Sequence, residues 1–281
     1  MTVKLQVVGD PVAHSLSPQI HALFAKQFDD EVVYGRERVR SGEFEVCADA
    51  FRAAGGLGMN ITVPHKEAAF TYVDAPDAYA CAAGAVNTIK FLDNGESLGS
   101  NTDGQGLVAD LTERWALGLV GQTVLILGAG GATRGVIVPL FEAGVSRILI
   151  ANRTATRAEH LCQALRASLP PAAHLSAHGL DVSLDDESID VIINATSVGL
   201  EGVGLNLPVG DAQVRQAFCY DMGYGSNAGF HRQVRAVADT SVDGLGMLVE
   251  QAALSYKLWL GHQPETQPVY QAVRSMLLED S

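Results

Sequence analysis

VLILGAGGATRG, residues 124–135, is the stretch on which the fold turns. Val124 to Leu127 form an unbroken apolar run, which suits a strand buried on both faces. Gly128-Ala129-Gly130-Gly131-Ala132 then reads as a turn that delivers the chain to a helix N-terminus. Glycines let the backbone approach a pyrophosphate, and the N–H groups at a helix start bind it. The pattern departs from GxGxxG at its sixth position, where Thr133 stands in place of the close-packing glycine. Glycine turns also occur in proteins that bind no nucleotide. The order strand, turn, helix is what supports a dinucleotide here.

The next strand discriminates between dinucleotides. RILIANR (147–153) ends at Ala151-Asn152-Arg153-Thr154, with Arg157 one helical turn on. An NAD site places Asp or Glu there, against the ribose hydroxyl. No carboxylate stands at this strand end. Two arginines and a hydroxyl at a helix start suit a phosphate instead, so NADP is expected over NAD. The alternative makes Arg153 and Arg157 solvated cations, in a place where the helix dipole disfavours them without an anion.

Strand-like and helix-like stretches alternate on both sides of this motif. KLQVVGD (4–10), 32–39, 57–63 and 85–92 read as strands, and Asn94-Gly95 is a hairpin signal before Ser97–Ser100. Ser17 and Pro18 read as N-cap and first residue of a helix carrying Ile20, Leu23, Phe24 and Phe28. Helices are expected over about 104–115 and over TATRAEHLCQALRASL, and strands over IDVIINAT and AFCYDMGY. Residues after 244 read as two helices, the first with Leu245, Leu248, Val249, Ala252, Tyr256 and Trp259 on one stripe. Alternating β and α predicts an α/β fold with a mainly parallel sheet.

The chain has 281 residues, of which 47% are hydrophobic and 18% charged, enough for a sizeable core in two domains or one large one. A net charge of −13 and a pI of about 4.9 argue against nonspecific nucleic-acid binding. A local basic pocket can still hold an anionic small molecule. Cys47, Cys81, Cys162 and Cys219 form no CxxC pair, so zinc and dithiol sites are unsupported and a reducing compartment fits. His174 and His178 are four apart without an acidic third ligand; they read as loop residues, and no metal is expected. Neither a membrane-length apolar run nor a signal-peptide core is present, so a soluble, cytoplasmic protein with no membrane partner is expected.

GMNITVPHKEA (58–68) poses a separate question. Ile61 and Val63 alternate with Asn60, Thr62 and Pro64, as in a short strand, and side-chain alternation puts Asn60 and Thr62 on one face. Pro64 ends the ladder and can open a helix with Lys66 in its first turn. A helix start prefers anions, so Lys66 makes sense there if something acidic or electron-rich lies nearby. Otherwise the segment is a strand-to-helix corner with a surface lysine.

GDPVAHSLSPQIH, GMNITVPHKEAA, AGAVNT, GSNTDGQG, GAGGATRG, ANRTATRA, INATSVG, CYDMGY and DGLGMLVEQAA follow one another along the chain. In that order they resemble shikimate dehydrogenase over essentially the full length. The resemblance implies NADPH-dependent reduction of dehydroshikimate to shikimate in aromatic amino-acid biosynthesis. It also implies a discontinuous N-terminal α/β substrate domain, residues 1–103 completed by 245–281. A Rossmann-like NADP-binding domain, 104–244, is implied beside it, with the active site in the cleft between them.

By the same resemblance, Lys66 is the catalytic acid/base and Asp103 its partner. Reducing a ketone needs a proton on oxygen, which a cationic lysine can donate. A neighbouring carboxylate fixes the lysine and favours its charged form. Spacing alone does not bring the two together, and an Asp at a helix start is otherwise most often a cap. Ser15 and Ser17 match carboxylate-binding serines, and Thr62 a further carboxylate contact. Asn60, Asn87, Asp103 and Gln251 match the hydroxyl-binding set. Tyr224 matches a tyrosine facing the substrate, and Met222, Gly244 and Met247 match positions near the nicotinamide. Without the resemblance, Ser17 is an N-cap, the asparagines are turn formers, Gln251 is exposed, Tyr224 packs and the methionines fill core. His65 reads as a packing or polar-surface residue.

The sequence departs from the family at GSNAGFHR after Tyr224, where a threonine–proline pair is common, which bears on the local loop and on closure of the cleft. Two other readings compete: a paralogue that also oxidises quinate, and a dinucleotide-binding sensor without catalysis. The strand end at 151–154 counts against NAD preference, and Lys66 with Asp103 counts against the sensor. A monomer and a homodimer both fit the sequence.

Overall fold

The computed structural model describes residues 2–196 and 204–279. The INATSVG motif runs into 197–203, so its second half lies outside the described residues. The chain divides into two compact units, Met1–Gly106 with Leu248–Ser281, and Leu107–Met247. Each is built on a six-stranded sheet.

In the first unit, β1 (Val3–Gly9) leads to α1 (Ser17–Phe28), β2 (Val32–Arg38), α2 (Phe44–Ala53) and β3 (Gly58–Ile61). Then come α3 (Lys66–Tyr72), the two-residue β4 (Ala75–Pro76), α4 (Ala78–Ala83), β5 (Thr88–Phe91) and β6 (Ser97–Ser100). The sheet order is β2-β1-β3-β5-β6-β4. β1 runs parallel to β2 and β3, whereas β3, β5 and β6 alternate in direction. This sheet is therefore mixed, because the Asn94-Gly95 turn folds β6 back on β5; Gly95 takes a φ of 93° there, open to glycine without strain.

His21, on α1, is fully buried in an aromatic cluster. Its ring stacks on Tyr34 at 4.5 Å and is flanked by Phe24, Tyr256 and Trp259. Asn60 is its polar neighbour, but that carboxamide is committed elsewhere, and neither imidazole nitrogen is hydrogen-bonded. Burial lowers the His21 pKa from 6.5 to about 3. The unfolded chain takes up this proton below 6.5 and the folded one does not. The resulting stability is complete above pH 6.5 and is lost as pH falls toward 3, at up to about 1.4 kcal/mol per pH unit. His21→Phe is expected to flatten the loss of urea stability between pH 6.5 and about 5 relative to wild type. Parallel profiles for the two proteins are the contrary result.

α5 (Asp103–Ala109) carries the chain into the second unit and continues as a π-helical turn, Asp110–Arg114. β7 (Thr123–Leu127), α6 (Gly131–Glu142), β8 (Arg147–Asn152), α7 (Ala155–Leu165), β9 (His174–Gly179) and β10 (Val191–Asn194) follow. α8 (Asp211–Gln216), β11 (Phe218–Asp221), α9 (Gly229–Val234) and β12 (Thr240–Asp243) complete it. The sheet is parallel throughout, in the order β12-β11-β10-β7-β8-β9.

The apolar run of β7 is explained by this sheet. Val124 and Ile126 enter one core, Leu125 and Leu127 the other, and β8 divides in the same way. A strand covered on both faces must be apolar at every position. His174 and His178 lie on β9 and not in a loop. β9 is an edge strand with mostly half-buried side chains, so it lacks that apolar signature. α10 (Leu245–Leu260) and α11 (Thr266–Glu279) return the chain to the first unit. Of the α10 stripe, Leu245, Val249, Ala252, Tyr256 and Trp259 are buried. Among the described residues no helix is long and apolar enough to cross a membrane.

Candidate active site and dinucleotide cavity

Strand register assembles the polar site of the first unit. Asn60 at the end of β3 pairs with Thr88 at the start of β5, and Thr88 pairs with Ser100 at the end of β6. Three strand ends thus meet at one edge. Asn101-Thr102-Asp103 follows β6 directly, and Lys66 follows β3 after the corner at Pro64. α3 begins at Lys66 itself, with His65 as N-cap, so Pro64 lies before the helix. His65 is buried, its Nε2 2.7 Å from the Val39 carbonyl oxygen and its ring stacked on Phe44, which removes the polar-surface reading.

Lys66 Nζ lies 2.5 Å from Asp103 Oδ2. The pair is mostly shielded from solvent, with side-chain exposures of 22% and 11%. The ammonium at the start of α3 therefore has its carboxylate. The other oxygen, Asp103 Oδ1, accepts from Asn87 Nδ2 at 2.8 Å. Asn87 Nδ2 also reaches Thr102 Oγ1, and Asn87 Oδ1 accepts from the Thr102 backbone N–H. Gln251 is buried on α10, not exposed, with its Oε1 3.4 Å from both Asn87 Nδ2 and Thr102 Oγ1.

Asn60 is held by Tyr34, whose hydroxyl donates to Oδ1 at 2.6 Å, while its amide donates to Thr88 and Ser255. Ser17 is not the cap of α1; Leu16 occupies that position and Ser17 begins the helix. Ser15 Oγ donates to Ser17 Oγ at 3.1 Å and accepts from the Ser17 N–H. Thr62 lies just beyond β3, its N–H bonded to the Val8 carbonyl.

Two residues of β2 that the sequence reading did not single out hold this set in place. Arg36 donates through Nε and Nη2 to the Ser15 carbonyl, at 2.8 and 2.6 Å, and through Nη2 to Gln19. Tyr34 faces both Asn60 and Ser17, and burial pushes its hydroxyl well above the usual phenol range, so it stays a donor. Their two-residue spacing on a strand, which puts both on one face, was the available signal.

In the second unit a cavity of about 700 Å³ opens over the ends of β7 and β8. Gly128, Ala129, Gly130, Asn152 and Arg153 line it, with Thr196 and Asn206. Gly128 takes a φ of 105° and would drive a Cβ to within 2.9 Å of Thr196 Cγ2, so only glycine fits. Above Gly130 and Gly131 an added Cβ meets nothing, and no side chain caps α6. The first-turn N–H groups at Gly131 and Ala132 therefore have no side-chain cap, and an anion can take that place. Thr133, in the place of the third glycine, is fully buried and donates to the Gly128 carbonyl at 2.9 Å, which pins the turn.

Asn152 donates to the Thr154 carbonyl and Thr154 is the N-cap residue of α7; Arg157 lies within that helix and is not among the cavity's lining residues. Met222, Gly244 and Met247 gather beyond β11 and β12. A Cβ at Gly244 would overlap the Met222 carbonyl oxygen, and the Met247 N–H donates to Tyr220 Oη at 3.3 Å. Tyr224, half-buried, precedes the short 3-10 turn Gly225–Asn227. That turn and α9 are the form taken by the GSNAGFHR departure. Among the described residues no group of three metal-ligating side chains occurs.

Family models match three stretches of this chain. They are the shikimate dehydrogenase substrate binding domain over 7–89, shikimate/quinate 5-dehydrogenase over 110–201, and the shikimate 5'-dehydrogenase C-terminal domain over 244–274. A shikimate dehydrogenase (NADP(+)) of Alkalilimnicola ehrlichii is 46% identical over 276 residues, covering 98% of this chain and 99% of that protein. The chain belongs to the shikimate dehydrogenase family. A crystal structure of a shikimate dehydrogenase in complex with NADP+ has a TM-score of 0.87 at 32% identity, covering 98% of this chain and 96% of that one. A Thermus thermophilus shikimate 5-dehydrogenase in complex with shikimate has a TM-score of 0.82 at 31% identity, over 98% and 99% of the two chains. The family's substrate-domain match runs from β1 into β5 and includes Ser15, Ser17, Asn60, Thr62, Lys66 and Asn87. Asp103 falls between the first two matched stretches, so its pairing with Lys66 rests on the geometry above.

Proposed function

We propose that this protein catalyses the reversible NADPH-dependent reduction of 3-dehydroshikimate to shikimate, on the cytoplasmic route to chorismate and the aromatic amino acids. Lys66 is the acid/base and Asp103 its partner. The observation that carries this reading is the shielded Lys66–Asp103 pair, braced by Asn87. The first unit is the substrate domain and the second holds NADP.

The bound dinucleotide supplies the hydride. Lys66 polarises the ketone and gives a proton to its oxygen as negative charge develops there. Asp103 is fixed at both oxygens, Oδ2 by Lys66 and Oδ1 by Asn87, so the carboxylate cannot rotate away from the ammonium. In the oxidative direction neutral Lys66 takes the proton back. Ser15, Ser17 and Thr62 hold the substrate carboxylate. Asn87, Asp103 and Gln251 receive the ring hydroxyls, and Asn60 keeps one carbonyl lone pair for the same purpose. Tyr224 faces the substrate, and Met222, Gly244 and Met247 border the nicotinamide. Backbone N–H groups of the Gly128–Ala132 turn hold the pyrophosphate. Asn152, Arg153, Thr154 and Arg157 receive the 2'-phosphate, with Arg153 placed directly on the cavity.

Arg36 acts through Ser15. Arg36→Met is expected to raise KM for shikimate about tenfold or more, the scale of a hydrogen bond to a charged group, with a smaller change in kcat. An unchanged KM would separate Arg36 from carboxylate binding.

The decisive assay follows absorbance of the reduced nicotinamide with shikimate or quinate and NADP or NAD, in all four pairings. Turnover confined to shikimate with NADP supports the proposal. The family matched over 110–201 is shikimate/quinate 5-dehydrogenase, which keeps quinate as the second reading; comparable quinate rates would favour it. Silence in all four pairings with NADPH binding retained would overturn the catalytic reading in favour of a sensor.

A further inference from the structure

The dinucleotide cavity carries one acidic side chain that phosphate recognition does not use. Its floor follows the sheet: Gly128 follows β7, Asn152 ends β8, and Leu180 and Asp181 follow directly on β9. These strands are parallel neighbours in that order, spaced about 4.8 Å apart. With its pyrophosphate on the β7 turn and its ribose at the end of β8, a dinucleotide extends away from β7. Its base therefore lies outward of β8, over the end of β9, where the cavity presents Leu180 and Asp181.

Asp181 is the only carboxylate among the cavity's described lining residues. Its position depends on the residue two before it: a Cβ at Gly179 would overlap Asp181 Oδ1 and come within 3.4 Å of Cγ. Glycine at 179 thus lets the carboxylate lie back across the strand end. A carboxylate beside a ligand that bears three phosphate groups is a liability unless it accepts a hydrogen bond from that ligand. The strong donor of an adenine base is its exocyclic amine. We propose that Asp181 reads the base of the dinucleotide by accepting a hydrogen bond from the adenine exocyclic amine, with Leu180 against the ring. This rests on the NADP reading of the cavity and extends it to the base.

The test is equilibrium binding, followed by nicotinamide fluorescence, of NADPH and of its hypoxanthine analogue, in which a carbonyl replaces the amine. Wild type is expected to bind NADPH about tenfold or more tightly than the analogue, because a charged acceptor facing a carbonyl is left unpaired. Asp181→Ala is expected to bring the two affinities within about threefold by weakening NADPH. Gly179→Ala keeps the charge but displaces it, and is expected to narrow the ratio in the same way. Asp181 is exposed and forms no strand pair, so both variants can be checked for native folding by thermal melts. Equal affinities in wild type, or a ratio unchanged in Asp181→Ala, would overturn the proposal. A uniform gain for both ligands in Asp181→Ala would also overturn it and leave only charge repulsion. Failure of wild type to bind NADPH at all would instead remove the NADP reading itself.

Discussion

Lys66→Ala is expected to lower kcat for shikimate oxidation about 10²- to 10⁴-fold, the range spanned by loss of a positioned acid/base. The substrate dissociation constant should move by less than about tenfold, because an interaction gained mainly in the transition state affects kcat more than ground-state binding. The variant leaves the shielded Asp103 carboxylate without its counter-ion, so a thermal melt must accompany the kinetics. Lys66 is the first residue of α3, where a cation opposes the helix dipole, so the helix itself does not depend on it. Kinetics combined with a shikimate titration in the presence of NADPH separates the two effects. A fall below tenfold, with the variant folded, would remove Lys66 as principal acid/base. Asp103→Asn makes the companion case. It retains an acceptor for Asn87 but not the charge that holds Lys66, so the loss should appear in kcat.

Lys66 also shows what the sequence could and could not disclose. Its misplaced charge at a helix start is a local feature, so it was legible, and it pointed to something acidic or electron-rich nearby or else to a surface lysine. Its carboxylate partner was not local, since residues 66 and 103 meet only through the register of β3, β5 and β6. The β7 turn was legible because a strand buried on both faces leaves no freedom of composition. β9 was not, because an edge strand carrying His174, Ser176 and His178 shows neither an apolar run nor clean alternation. Ser17 read as an N-cap because its residue type and the following proline satisfy the rule. The helix starts at it instead, and its hydroxyl points to Ser15 and Tyr34. Arg36 left only its strand alternation with Tyr34 as a signal: its bidentate partner is a backbone carbonyl 21 residues away, and a carbonyl has no sequence signature.

The second large effect is expected on stability, at Asp110. Its carboxylate is 1% exposed and receives Arg114 Nε at 2.7 Å and the Tyr220 hydroxyl at 2.6 Å. Tyr220 Oη in turn accepts from the Met247 N–H, so one carboxylate ties the π-helical turn to β11 and to the start of α10. Burial pushes the Asp110 carboxyl above the usual range in spite of both partners, which shows that desolvation dominates at this point. A Cβ at Gly246 would overlap the same carboxylate, so the backbone has closed around it. Asp110→Ala removes the Asp110 acceptor from both Arg114, with a side chain 7% exposed, and the Tyr220 hydroxyl. Breaking one side of a buried ion pair costs about 3–5 kcal/mol. Asp110→Asn should cost less, since it gives up the desolvation penalty along with the charge and can still accept from Tyr220. Urea denaturation of the three proteins at neutral pH decides the matter. An Asp110→Ala protein within about 1 kcal/mol of wild type would mean that the cluster relaxes around the loss. The expected order, wild type above Asn above Ala, together with weakened NADPH binding in Asp110→Ala, would tie this anchor to the proposed role of Met247 at the nicotinamide.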